Sequence, residues 1–438
     1  MSVTSSLYSA IAGLNANSVA MEVIGNDISN VNTPGYKSDR AEFSDLLSRS
    51  MSLGYQIGCG SVVASLGSSF SQGSFETTSS PTDLALDGPG FFVVNNSRGS
   101  YYTRAGNFHT DSGGNIVNPS GAILQGYQLD ANGQYTGSVG NVQVPTTALA
   151  PKATGDGSTA GSGVEMVANL NSDSTIPATF DLTDPTTTSN FSTSITVYDS
   201  LGNDHAVNVY FRKSAESTTG NTWEYHAVVS ASDSATGADV EAQTGELSFN
   251  EYGQLVSTTV TANGDAANPY FNFSGGAAQN QQIGFSFGTP IANGGTGTDG
   301  VTQYADDSAV ASSSQDGYAA SSLSSISIDN AGKISATYTN GETSTFAQIA
   351  VASFRNVNGL CKVGDNLYAE TGSSGSAAVG VAGSGGHGTI SSSTLEQSNV
   401  DLATELVSMI TTERGYQANS KSVSTADEML QTVLAMKS

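Results

Sequence analysis

The chain has 438 residues, 14 Lys and Arg against 39 Asp and Glu, and a formal charge of −25. So few scattered cations cannot build the dense basic surface that phosphate backbones or anionic membranes require, which excludes a nucleic-acid binder and disfavours lipid headgroups as partners. At 37% hydrophobic residues it can bury cores, while 50 glycines favour many short strands and turns, so the class is β-rich and, at roughly 150 residues per domain, multi-domain.

The N-terminal segment Ser5 to Asn30 holds no proline and places apolar or small residues at Leu7, Ile11, Leu14, Ser18, Met21, Gly25 and Ile28. Steps alternating four and three are those of a helical seam. No Lys or Arg precedes Lys37, so the cationic region of a secretory signal is not expected; export, if it occurs, takes another route. No stretch approaches the ~20 apolar residues of a spanning helix.

The middle changes to short alternating runs. Leu84 to Leu86 and Phe91 to Val94 flank the turn Gly88-Pro89-Gly90, and Ile195, Val197, Val207, Val209 and Phe211 fall on one face of a predicted hairpin. The pattern Asp/Asn-x-x-Gly-polar recurs at Asp111 to Asn115, Asp130 to Gln134, Asp199 to Asn203, Asn250 to Gln254 and Asp329 to Lys333. In each, the first side chain can accept from the turn's own amides and the glycine can take a positive φ, which predicts a type I turn with a bulge. These are structural turns rather than calcium loops, because the alternating carboxylates and closing Glu of an EF-hand are absent. A single nonapeptide-like match at Gly294 to Val301 lacks the tandem copies that metal binding needs. Between Glu165 and Asp316 there are 18 acidic residues, with Arg212 and Lys213 the only Lys or Arg, which suggests an outward-facing acidic domain.

The glycine-rich run at Gly383 to Gly388 lacks a P-loop sequel and is expected to be a flexible connector, as is Gly54 to Gly60. The final segment, Leu395 to Lys437, repeats the seam at Leu402, Leu406, Met409, Glu413, Tyr416, Ser420, Val423, Asp427, Leu430 and Leu434. At 1.5 Å per residue such a helix runs on the order of 60 Å. One reading pairs the two ends as an intramolecular hairpin. The favoured reading leaves both stripes unsatisfied in a single molecule and buries them against further copies, as termini that fold on assembly would.

No Gly-x-Ser-x-Gly elbow, His-Glu-x-x-His, Walker motif or dinucleotide fingerprint occurs, so no catalytic, cofactor or metal residue is nominated. Cys59 and Cys361 lack metal-ligand spacing, and free, buried thiols are the expectation.

The stretch Ile24 to Lys37, IGNDISNVNTPGYK, carries Asn26, Asn30, Thr33, Pro34, Gly35 and Tyr36 in an order that resembles the N-terminal signature of the bacterial flagellar axial proteins, the rod and hook family. Physically it is a helix stop: Pro34 disfavours the α conformation at Thr33, and Gly35 supplies a turn. Two further stretches resemble the same family: Leu84 through Gln128, similar to its first β-domain, and Ser398 to Lys437, similar to its C-terminal helix. The length, and the stretch Ile195 to Phe211, resemble members with an additional outer β-domain rather than the shorter distal rod subunits. The fold so implied is a mainly β body with helical N- and C-termini that pair as a coiled-coil-like seam in a polymer. Its expected parts are polymerisation helices over 1–32 and 395–438, connectors over 33–80 and 386–394, an inner β-domain over 81–168 and 315–385, and an inserted outer domain over 169–314.

The resemblance also implies a flexible tube of one subunit between rod and filament. Expected partners are the distal rod, the cap, the junction proteins and the flagellar type III export apparatus, with no cleaved signal and a place outside the cell. A secreted β-rich adhesin is the competing reading, and it leaves the Asn26 to Lys37 signature unexplained.

Overall fold

The computed structural model describes residues 3–46, 58–130, 133–159, 161–261 and 270–436. The chain divides into two units, Met1–Thr146 with Ser324–Thr337 and Glu342–Ser438, and Thr147–Leu323 with Tyr338–Gly341.

The first unit opens with helix α1 (Val3–Ser29), which stops where the sequence stops it: Asn30 Nδ2 donates back to the Asn26 carbonyl at 2.9 Å, and Gly35 turns the chain at φ 69°. A long antiparallel hairpin follows, β1 (Asp39–Asp45) and β2 (Ser61–Ser68), with Asp39 opposite Ser68 and Asp45 opposite Ser61. Strands β3 (Phe75–Thr77) and β4 (Leu84–Asp87) then receive the returning C-terminal chain: Thr394–Glu396 pairs β3 and Thr389–Ser392 pairs β4. The body is a sheet in which Thr343–Ser353, Ile123–Leu129, Phe91–Asn96, Gly99–Thr103, Leu367–Ala369 and Cys361–Gly364 are successive neighbours. Part of its core is aromatic, with Phe91 edge-on to Phe70, Phe354 and Tyr368 at centroid distances of 5.6, 5.8 and 5.6 Å. Helix α2 (Leu402–Ala435) ends the unit, capped by Asp401, whose side chain accepts from the amides of Ala403 at 2.9 Å and Thr404 at 3.2 Å. That cap places the helix start seven residues after Leu395, and at 34 residues the helix is about 51 Å long. The residues from 394 to 396 are strand because β3 offers them a ladder.

The second unit is an antiparallel five-stranded meander, Phe191–Tyr198 through Leu255–Thr261, with each strand beside the next, together with a small mixed sheet around Val164–Asn171. The predicted face holds: Ile195, Val197, Val207, Val209 and Phe211 are all buried, around Trp223, Tyr225, Phe271 and Phe287. This unit begins well before residue 169, because Val164 and Met166 sit in its core and their strand pairs with Ala309–Gln315.

All five Asx turns form. Each glycine amide donates to the carbonyl of the first residue at 2.9 to 3.1 Å, and each glycine has φ between 72° and 84°. In each, the first side chain accepts the fifth residue's amide at 2.8 or 2.9 Å.

Three expectations are corrected. Gly383 to Gly388 is a closed loop rather than a connector: Gly383 N donates to the Gly388 carbonyl at 3.0 Å and Gly388 N to the Pro89 carbonyl at 2.8 Å. A Cβ on Gly388 would come within 2.3 Å of the Asp87 carbonyl oxygen, so these glycines serve close approach. The segment 389–392, expected as connector, is strand. The cysteines are free but exposed, Cys361 on an edge strand and Cys59 just ahead of β2. Gly54, in the other predicted connector, lies outside the described residues.

Candidate assembly interface

Helices α1 and α2 pack antiparallel along a seam of small residues. A methyl group built on Gly13 would stand 2.5 Å from Asn419 Nδ2, and one on Gly415 would stand 3.2 Å from Asn17 Nδ2. Two glycines, each receiving an asparagine from the facing helix four residues from the other, set one register. Ala10, Ala16, Ala20, Ile24 and Asp27 of α1 and Ala426 of α2 are buried, with Ser408, Thr412 and Asn419 half-buried.

The predicted stripe lies one residue away from this seam, a rotation of about 100° on each helix. Leu7, Leu14, Met21 and Ile28 are half-buried and Ile11 is exposed. On α2, Met409, Val423 and Leu430 are half-buried, while Leu402, Leu406, Tyr416 and Leu434 are exposed. The two ends are therefore paired with each other within the molecule, because small residues let the backbones approach, while the predicted stripes lie beside that seam. An apolar strip is nonetheless left over. It includes Tyr8 on α1 and, on α2, Leu406, Val407 and Ile410 at 44, 62 and 50% exposure. These three are large apolar side chains within one helical turn or so, more than a solvated face ordinarily carries.

The foot of the helix pair is polar and buried. Tyr36 Oη donates to Asp27 Oδ1 at 2.7 Å and accepts from Asn26 Nδ2 at 3.0 Å, while Asp39 N donates to both Asp27 oxygens at 3.1 and 3.2 Å. Burial raises the Asp27 carboxyl above its ordinary value, against the pull of those donors. Burial beside Asp27 also pushes the Tyr36 phenol far up, so that it stays a donor. Lys362 lies 5.4 Å from the centre of the Tyr36 ring and donates to both Asp39 carboxylate oxygens at 2.7 and 2.8 Å. Of the other signature residues, Thr33 Oγ1 donates to Asn30 Oδ1 at 3.0 Å, and Pro34 accepts from Asn366 at 3.4 Å.

Deeper still, Lys37 Nζ donates to Glu396 Oε1 at 2.6 Å and to the Ser71 carbonyl at 2.7 Å; both charged side chains are fully buried. Arg104 Nη1 stands 3.5 Å from Glu396 Oε2, and its two terminal nitrogens donate to the carbonyls of Leu86 at 3.1 Å and Gly88 at 2.7 Å. Burial pulls the Lys37 ammonium below the ordinary lysine value, and Glu396 opposes that pull. Sequence reasoning did not nominate Asp27, Arg104, Lys362 or Glu396. Only the place of Lys37 at the end of the signature pointed toward this group.

Four family descriptions match along the chain in order. Residues 7–37 match "Flagella basal body rod protein", and 85–160 match "Flagellar hook protein FlgE/F/G D1 domain". Residues 169–318 match "Flagellar basal body protein FlaE D2 domain", and 391–436 match "Flagellar basal body rod FlgEFG protein C-terminal". The chain is 34% identical over 445 residues to the flagellar hook protein FlgE of Salmonella typhimurium, covering 99% of this chain and 100% of that protein. It is 32% identical over 453 residues to the hook protein of Borreliella burgdorferi, with 99% of each chain covered. The hook protein of Treponema pallidum is 32% identical over 474 residues, again with 99% of each covered. With the signature, the two β-rich units and both terminal helices matched in sequence over almost its full length, the chain belongs to the flagellar hook protein family.

Proposed function

We propose that this structural subunit of the bacterial flagellar hook polymerises through the outward strips of its paired terminal helices. Leu7, Ile11, Leu14, Met21, Ile28, Leu402, Leu406, Met409, Tyr416, Val423, Leu430 and Leu434 are covered, wholly or in part, by neighbouring copies. The observation that carries this reading is the strip itself: α2 has already spent its small-residue face on α1 and still shows Leu402, Leu406, Val407 and Ile410 to solvent. At ~25 cal/mol/Å², covering several hundred Å² per helix pair contributes several kcal/mol, too little to hold two copies firmly but enough when each subunit meets many neighbours. Repetition of one heterologous contact gives an open tube.

Such a tube acts as a flexible joint that passes torque from rod to filament, outside the cell, after export of the uncleaved chain by the flagellar type III apparatus. The distal rod, the cap and the junction proteins are its end partners. Bending is carried by wet, anionic contacts between outer units while the helices stay packed.

Concentrating the purified protein at raised salt tests this reading. Tubes visible by electron microscopy are the expected result, and persistent monomers at every concentration and salt would contradict it.

A further inference from the structure

We propose that Glu396 is the closing element of a latch by which the C-terminal segment fixes the N-terminal signature loop, so that neither helix is oriented on the β-body until both ends of the chain have met. The claim rests on the assignment of the helices as assembly elements but concerns the single molecule. Lys37 and Glu396 are 359 residues apart in sequence and wholly buried together. Glu396 reaches its place only as part of Thr394–Glu396, the strand laid on β3 just ahead of α2.

Three of its groups then act on the N-terminal side. Its carbonyl accepts from Gly35 N at 2.7 Å, its Oε1 accepts from Lys37 Nζ and from Gly73 N at 3.0 Å, and its carboxylate faces Arg104. Without it, two cations and two amides would be left in a dry site, and leaving a buried charge unpaired is among the costliest single changes a fold can suffer. The neighbouring Asn399 repeats the arrangement, accepting from Ser38 N at 2.8 Å and donating to the Ser69 carbonyl at 2.8 Å. The loop 35–38 is thereby held by main-chain and side-chain groups of 396–399, whereas Asp27, which accepts from Tyr36 Oη, and Lys362, which donates to the Lys37 carbonyl at 3.3 Å, hold the same loop from the α1 side and the sheet. Gly35 also lies so close to Ala105 that a Cβ would come within 2.4 Å of its amide nitrogen, so the loop seats in one way only.

The test is amide hydrogen exchange on the full chain, at concentrations below assembly, for the parent, Glu396→Gln, Lys37→Met and the double variant. Glu396→Gln is expected to speed exchange over Gly35 to Asp39 by about 100-fold or more, with the amides of 204–229 in the outer unit unchanged. Adding Lys37→Met should recover part of that protection, since it removes one of the stranded cations. Unchanged protection at 35–39 in Glu396→Gln would overturn the proposal. So would a double variant that merely sums the single effects, or loss of protection spread equally to the outer unit. Because the readout is taken on monomers, a failure to form tubes would count against the polymer reading and leave these outcomes unaffected.

Discussion

Gly13 of α1 and Asn419 of α2 sit so close that any side chain on the glycine would displace the asparagine, and the pair Asn17 and Gly415 repeats the contact with the roles exchanged. The two positions are not equally tight, which gives opposite expectations. At Gly415 a methyl group would have 3.2 Å to the tip of a flexible side chain, so Gly415→Ala should gain most of the ~1 kcal/mol that Ala holds over Gly within a helix. Gly13→Leu overfills the seam and should cost about 1–3 kcal/mol, seen as a lower melting temperature of the helical signal with the β signal unchanged.

Tyr36→Phe keeps the ring under Lys362 and removes the hydroxyl that donates to the buried Asp27 carboxylate. A hydrogen bond to a charged group contributes about 1.5–3 kcal/mol, and the first unit should lose stability by that amount in a denaturant melt. The second unit should not change.

Acid should act on the helix foot and on the second unit in opposite directions. Asp27 and Glu405 are both raised, each by burial first, and Glu405 also by the nearby Asp27 and Asp401 carboxylates. A carboxyl raised in the folded state stabilises below its ordinary value, 3.8 for Asp and 4.5 for Glu, and loses that contribution as pH rises through the raised folded value. The helix foot should therefore be firmer at mildly acid pH than at neutrality, and Glu405→Gln should weaken that dependence. In the second unit Asp181 and Asp299 are lowered by the Thr183 and Thr289 amides and hydroxyls. Asp199 and Asp316 are also lowered, with burial as the largest single influence but outweighed by their donors together. Those contributions are present above the ordinary aspartate value of 3.8 and are lost as pH falls toward the lower folded values. Separate melts of helical and β signals from pH 7 to 3 check both signs.

The local features were legible in the sequence and the long-range ones were not. Each Asx turn is decided within five residues, so Asp111, Asp199 and Asp329 announced their turns without help from the rest of the chain. The strands around Val207 and Trp223 followed from alternation. The small-residue seam between α1 and α2 was not singled out because leucines draw attention as knobs, whereas close packing here is made by Gly13, Ala20 and Gly415, whose contribution is the space they leave. The latch escaped because Lys37, Arg104 and Glu396 meet only through tertiary structure. Gly383 to Gly388 misled because flexibility and close approach call for the same residue.

Charge gives a further expectation. Every Lys and Arg of the second unit is engaged with a carboxylate: Lys152 with Asp316 at 2.9 Å, Arg212 with Glu224 at 2.7 Å and Lys213 with Glu216 at 3.0 Å. Acidic residues far outnumber these three cations, so copies brought together should repel one another. Raising ionic strength from about 0.01 M to 0.15 M shortens the screening length from about 30 Å to 8 Å. Light scattering should show faster polymerisation over that range, and a rate independent of salt would count against repulsion between the acidic units of different copies.

The most direct measurement places a single thiol on the outward strip. With Cys59 and Cys361, both exposed, replaced by serine, Leu406→Cys offers one reporter whose labelling rate can be compared between dilute monomer and assembled tube. Rapid labelling in the monomer and near-complete protection in the tube is the result expected if other copies complete the helical ends. Equal labelling in both states would show that the strip stays open to solvent and that assembly uses another surface.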